Sequence, residues 1–314
     1  MGEVDDAHVS DPGPVEVADW RERAAAHGAR ADALTAGRRA RRSHGASAGS
    51  VDAVDDFLYD YYSLRPGQLR RWHPGAGAVL VDAADAPHAD WRWYVRVGTG
   101  RVALDVQGFG ADRGRAVATT HRLLGALRDR TPHLGCFGLH EWAMVYRSGD
   151  AVGGPSTGGA SPAGRRHALP LRLGQAGTDA VVEAHPLRCS HVDAYRFFTP
   201  EAVPRNAAVL TRETQAASDQ PGCVHVTMDV LRHAVALGPA CPGDLLLDCF
   251  EAARSAREVD MRASPYDVSG SGLAPIRIET RDGKAAYAAA QRELAAAAAP
   301  LRERLLRVCE EVLA

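Results

Sequence analysis

Apolar positions recur at helical spacing along most of this chain. Val54, Phe57, Leu58, Tyr61 and Tyr62 form an aromatic stripe, and steps of three and four residues of this kind mark one face of a helix. Arg113 to Arg130 has Val117, Leu124 and Leu127 among its apolar positions and stops before Thr131-Pro132. Asn206 to Ala217 reads as helical. Val224, Met228, Leu231 and Val235 give the apolar face of a further helix, on which His225, Asp229 and Arg232 lie together on another side. From Asp244 to about Arg262, Leu245, Leu246, Cys249, Phe250 and Ala253 point inward, while Glu251, Arg254 and Glu258 are spaced for exposed ion pairs. A final pair of helices follows, with Pro300 placed to open the second and Leu301, Leu305, Val308 and Val312 as its docking stripe.

The helical pattern breaks once. Val79-Leu80-Val81, Trp91 to Val97 and Val102 to Val106 are β-type in composition, and Gly98-Thr99-Gly100 joins the last two. A small antiparallel sheet with a hairpin is expected near residues 77–107. The fold class is therefore mainly α. Val15 to Arg42, rich in Ala and Arg with Trp20 its only aromatic, reads as an exposed helix or two, and Ser43 to Ser50 as a linker. These give an N-terminal arm over 1–50 and a single mainly helical domain over 51–314, with a flexible Gly/Ser/Pro-rich loop at about 148–165.

The run Arg188 to Pro200 carries the greatest chemical variety. If it is helical up to the residue before Pro200, His191, Tyr195 and Phe198 share one face. Such a face suits a flat apolar ligand held by a histidine. It equally suits a core helix with a hydrogen-bonded histidine.

Composition narrows the classes. The chain has 314 residues, 46% hydrophobic and 24% charged, and a formal net charge of −2. That profile fits a globular protein with a sizeable core, without global attraction to nucleic acid or an anionic membrane. No basic start precedes an apolar segment and no run approaches the ~20 apolar residues of a membrane span, so a soluble cytoplasmic protein is expected. Six cysteines without a CxxC pair signal neither a disulfide framework nor a zinc knuckle. Lys284, the only lysine, follows an apparent turn at Asp282-Gly283, which gives little support to Schiff-base chemistry.

Several motifs fail on inspection. His140-Glu141 begins like HExxH, but position 144 is methionine. There is no GxGxxG after a strand and no GxxxxGK[ST]. Gly45 to Gly49 and Gly154 to Gly158 match GxSxG literally, yet both sit in flexible segments without a preceding strand. The basic cluster Arg38-Arg39-Ala40-Arg41-Arg42 suits phosphates or a solvated face. His73, beside the Pro74-Gly75 turn and next to Trp72, faces either a pocket or solvent. His225 and Asp229, four apart, suit a shared metal or a hydrogen-bonded pair. Arg262, near the polar turn Tyr266 to Gly272, is placed to hold a carboxylate.

Four segments taken together carry a resemblance: Arg188 to Phe198, His140 to Arg147, Gln220 to His225 and Asp260 to Asp267. They resemble a group of actinobacterial proteins, many labelled 3-methyladenine DNA glycosylase, which also includes the histidine-ligated haem-dependent L-tyrosine hydroxylases of natural-product pathways. The resemblance spans roughly His73 to the C-terminus. It implies a helical core related to the tryptophan dioxygenase superfamily, a b-type haem, and hydrogen peroxide used to convert L-tyrosine to L-DOPA. On that reading His191 is the axial ligand, with Tyr195 and Phe198 beside it on the proximal wall, and His73 is the distal residue, with His88 as its alternative. Arg262 or Arg196 would bind the substrate carboxylate, and Tyr266 or Asp267 would orient its amine or phenol. The glycosylase reading would draw its base from Glu141, Asp229 or Asp260, but no helix-hairpin-helix signal accompanies them and the net charge is slightly negative. A non-catalytic helical binding protein remains a third possibility, and the assembly state is open, a homodimer included.

Overall fold

A computed structural model describes residues 15–43, 54, 56–148 and 169–314. Most of the expected linker at 43–50, both GxSxG-like segments and all but the first residue of the loop expected at 148–165 lie outside the described residues.

The described residues open with β1 (Val15–Val17), α1 (Trp20–Ser43), α2 (Phe57–Tyr61) and α3 (Pro66–Arg70), followed by β2 (Ala78–Leu80), β3 (Tyr94–Arg96) and β4 (Val102–Leu104). Then come α4 (Val106–Arg128), α5 (Leu139–Ala143), α6 (Gly174–Glu183), α7 (Val192–Tyr195) and α8 (Gln215–Ser218). Three long helices finish it: α9 (Val224–Leu237), α10 (Gly243–Ala263) and α11 (Arg281–Leu313). The structure is mainly helical, with one small sheet in the order β1-β2-β4-β3.

The hairpin expected around Gly98-Thr99-Gly100 is present, with Tyr94 opposite Leu104 and Arg96 opposite Val102. The sheet is mixed rather than purely antiparallel, because β1 adds to it parallel to β2, with Val15 opposite Ala78. Its buried side chains, Leu80 and Val102 among them, join Phe109, Val308 and Val312 in one apolar cluster. Trp20 belongs to the same cluster, which ties the start of α1 to the core.

α9 is the central element. It packs against both α10 and α11, and α11 also packs along α4. Most of its residues are buried, polar ones included, as a helix sheathed on several sides requires. Side-chain caps fix two neighbours: Asp105 accepts from the Gly108 amide (2.9 Å) to start α4, and Thr280 accepts from the Gly283 amide (3.0 Å) to start α11. The Asp105 cap explains why α4 begins at Val106, earlier than the apolar spacing suggests.

Three expectations about the helices need correction. Arg188 to Thr199 is not one helix: only Val192–Tyr195 is α-helical, and His191 caps it with extended backbone angles of −105° and 117°. Asn206 to Ala217 is irregular until Gln215, with a single 3₁₀ turn just before it at Val203–Arg205. The last two helices are one, and Pro300 sits inside it. An internal proline sacrifices one backbone hydrogen bond and costs about 3 kcal/mol; packing of α11 against α4, α9 and α10 offsets that cost. On α1, three of the four arginines of the basic cluster are ion-paired: Arg38 and Arg41 both with Asp56 at 2.9 Å, and Arg39 with Asp32 at 2.8 Å.

Candidate metal centre

α5, α9 and α10 bring a set of buried ionisable groups together. The entry to α5 is a tight reversal in which Phe137 and Gly138 both adopt left-handed angles, φ 50° and 72°. A Cβ at Gly138 would stand 3.1 Å from the Ala263 side chain, so the reversal is pressed against the end of α10. That approach places His140 against Asp260. His140 Nε2 donates to Asp260 Oδ1 across 2.7 Å, and its Nδ1 lies 3.5 Å from the Cys136 sulfur. The second oxygen of Asp260 accepts from Arg257 across 2.7 Å, and the same guanidinium nitrogen donates to Glu141 across 3.0 Å. All four side chains are essentially sealed from solvent.

Burial by itself disfavours a charged imidazole, but the adjacent Asp260 carboxylate outweighs it and raises the His140 pKa well above the ordinary histidine value. Asp260, although buried, is held well below the usual carboxylate range by His140. His225, from the first turn of α9, stands edge-on to His140 with ring centroids 4.5 Å apart. Burial, reinforced by the charge on His140, pushes its pKa well down. Its Nδ1 is buried and has no hydrogen-bond partner among the described residues.

His225 also meets His191, whose ring stacks on it at 5.2 Å with an interplanar angle of 19°. His191 Nε2 donates to Asp229 Oδ2 across 3.0 Å, and Asp229 also receives Arg232 and the Tyr62 hydroxyl (3.3 Å). Arg232 continues to Asp193 at 2.6 Å, where Arg212 also pairs. Nδ1 of His191, like that of His225, is buried without a partner among the described residues.

Among the described residues, His140, His225 and Asp260 form a group that could hold a metal ion. One donor atom from each lies within 4.8 Å of the others, and all three are buried. His225 and Asp229, four apart on α9, turn to different neighbours: Asp229 serves His191, and His225 faces His140.

The sequence-derived site residues are distributed over several places. His191 looks towards Asp229 and His225, while Tyr195 and Phe198 stay together with ring centroids 5.2 Å apart. The helical face expected to unite all three does not form. His73 shares a 2.9 Å hydrogen bond with the Tyr94 hydroxyl and packs edge-on to Trp91, and burial brings its pKa down to about 3. His88 is buried beside it and donates to the Trp72 carbonyl (3.1 Å). Arg262 donates to the Ala274 carbonyl (3.0 Å) and pairs with Glu258, and Arg196 pairs with Asp193 at 3.5 Å. Tyr266 and Asp267 border a surface cavity of about 460 Å³ with Arg172, Arg277 and Glu279.

His140, Glu141 and Asp260 stood in the sequence within the segments that carry the resemblance and in the HExxH and glycosylase motifs, without a metal role, and Arg257 drew no attention. A signal for Arg257 and Asp260 was there: they continue the inward stripe of Phe250 and Ala253, so two charges occupy the apolar face of α10. None of the helices among the described residues is long and apolar enough to cross a membrane. Comparison with known proteins finds no matching family model, no matching curated protein and no matching solved structure.

Proposed function

We propose that this protein is a transition-metal oxidoreductase whose metal is held by His140, His225 and Asp260. The observation that carries the reading is the buried, unpartnered Nδ1 of His225 in a group whose donor atoms lie within 4.8 Å. An orphaned polar atom in a protein interior calls for an explanation, and a metal is one. The 2.7 Å separation of His140 Nε2 and Asp260 Oδ1 suits two neighbouring ligands of one ion taking the place of the shared proton. Two histidines and a carboxylate with open positions form the donor set of non-haem iron(II) oxygenases, and iron bound there would supply electron transfer to dioxygen or peroxide.

The surrounding residues have the outer partners such ligands need. Cys136 accepts from His140 Nδ1 and fixes the ring; Arg257 holds the free oxygen of Asp260 and is itself balanced by Glu141. Glu141 Oε2 has no partner among the described residues and can accept a proton inside the centre. The His191–Asp229 pair, stacked against His225, provides a second place to hold one.

The haem reading retains one specific support. His191 has one nitrogen on a carboxylate and the other unpartnered, as an axial ligand requires. On that reading the activity is peroxide-dependent conversion of L-tyrosine to L-DOPA, with His73 distal. One experiment decides between the two. The protein is purified from cells supplied with iron and a haem precursor, its iron is measured and its absorption spectrum recorded. Stoichiometric iron without a Soret band, lost in His225→Ala and Asp260→Ala, supports the three-residue centre. A Soret band lost in His191→Ala supports haem instead. Absence of bound metal of any kind, before and after reconstitution, sinks both.

A further inference from the structure

A cavity of about 540 Å³ opens beside the reversal that carries Cys136 and His140. Leu134, Phe137 and Leu139 give it an apolar lining, and Arg188, Lys284 and Arg292 contribute three cations. Lys284 and Arg292 stand eight residues apart on α11, on either side of Ala288, which also faces the cavity. His133 and His185 complete the polar part of the wall, and no carboxylate belongs to it.

These cations differ from several other arginines of the fold. Arg30, Arg38, Arg232 and Arg304 each pair with two carboxylates. Arg188, Lys284 and Arg292 make no ion pair or side-chain hydrogen bond among the described residues. Three uncompensated positive charges around one concavity repel one another and focus a positive potential into it. The wall is also held in shape. Gln220 clamps the His133 backbone from both sides, accepting from its amide (2.8 Å) and donating to its carbonyl (3.0 Å). Gly135 leaves room for the His133 ring, since a Cβ there would stand 2.7 Å from it.

We propose that this cavity binds a small organic phosphate, its charged group on Arg188, Lys284 and Arg292 and its apolar body on Leu134, Phe137 and Leu139. Three donors around one anion match a phosphate better than a single carboxylate, which one arginine satisfies in a two-point contact. The apolar lining asks for an aromatic or aliphatic part next to the phosphate. Because Phe137 and Leu139 flank the reversal leading to His140, a bound ligand lies alongside the buried centre. The inference holds whether or not a metal occupies that centre.

The test uses the whole protein at low salt and titrates phenyl phosphate, inorganic phosphate and benzoate by calorimetry. Phenyl phosphate is expected to bind best, with affinity falling as salt is added. Lys284→Ala and Arg292→Ala should each weaken it about tenfold, corresponding to one charged hydrogen bond. Arg122→Ala, an exposed change elsewhere on α4, should leave it unchanged. Lys284 is the only lysine in the chain, so an amine-reactive reagent gives a second readout: phenyl phosphate should slow its modification. Binding unaltered by the triple change of Arg188, Lys284 and Arg292 to alanine overturns the site, as does the absence of both heat and protection. Tighter binding of benzoate than of phenyl phosphate overturns the phosphate assignment. Tighter binding of a short oligonucleotide, dependent on the same three residues, would replace the small ligand by nucleic acid.

Discussion

His140 and Asp260 meet across 2.7 Å in the sealed interior, and the other oxygen of Asp260 is taken by Arg257 at the same distance. Asp260 and Glu141 both depend on this guanidinium. Replacing it by a neutral side chain strands Glu141 and leaves Asp260 with His140 alone, and breaking a buried ion pair from one side costs about 3–5 kcal/mol. Arg257→Met is therefore expected to lower stability by about that much in urea unfolding. Glu141→Gln, which keeps an acceptor for Arg257, should cost about 1 kcal/mol. Equal effects of the two changes would show that the guanidinium does not hold the pair together.

The same interior sets the response to acid. Burial brings His73 down to about 3 and His233 to about 4, and lowers His27, His88 and His225. His73 and His233 take up a proton near pH 6.5 when the chain is unfolded but stay neutral through that range in the fold, and burial shifts the other three in the same direction. The unfolded state then binds more protons, so stability is full above about pH 6.5 and falls below it, by up to about 1.4 kcal/mol per pH unit for each group. His140 acts in the opposite sense, because its folded pKa is raised. Its contribution is complete below about pH 6.5 and disappears as pH rises through the folded value. Urea midpoints between pH 7 and pH 5 should decline, and His73→Gln should reduce the slope; a flat profile contradicts the neutral state of these rings.

Residue patterns disclosed the helices better than the centre, and the reason is physical. The stripes of α9 and α10 follow from local spacing, and so does the hairpin at Gly98-Thr99-Gly100. The short α7 does not, because His191 is drawn out of the helix by Asp229, 38 residues away. The site is likewise a product of distance in sequence: His140 and Asp260 are 120 residues apart. Nothing near either one announces the other. What was legible is the anomaly of Arg257 and Asp260 on an apolar face, since buried charges require partners.

The start of α11 offers a local test of packing. A Cβ at Gly283 would fall 1.9 Å from the Arg277 carbonyl oxygen, a contact with backbone that no side-chain rotation relieves. Alanine normally improves a helix by about 1 kcal/mol over glycine. Here the clash is expected to reverse the sign, so that Gly283→Ala destabilises the protein by about 1–3 kcal/mol. A thermal midpoint at or above that of the parent protein would mean that the Arg277 turn yields without cost.

His225 separates a ligand role from a packing role most sharply. In the metal-free protein its Nδ1 is an unmet buried polar atom, and phenylalanine of similar shape removes that burden. His225→Phe should therefore leave the metal-free protein as stable as the parent or more so. With iron(II) or zinc present the order should invert. An ion at a hundred times its dissociation constant stabilises the fold that binds it by about 2.7 kcal/mol, and the variant has lost one of three protein ligands. Thermal midpoints of both proteins, with and without metal, give the four values needed. A parent protein indifferent to metal removes the centre, whereas a variant that responds as strongly as the parent removes His225 from it.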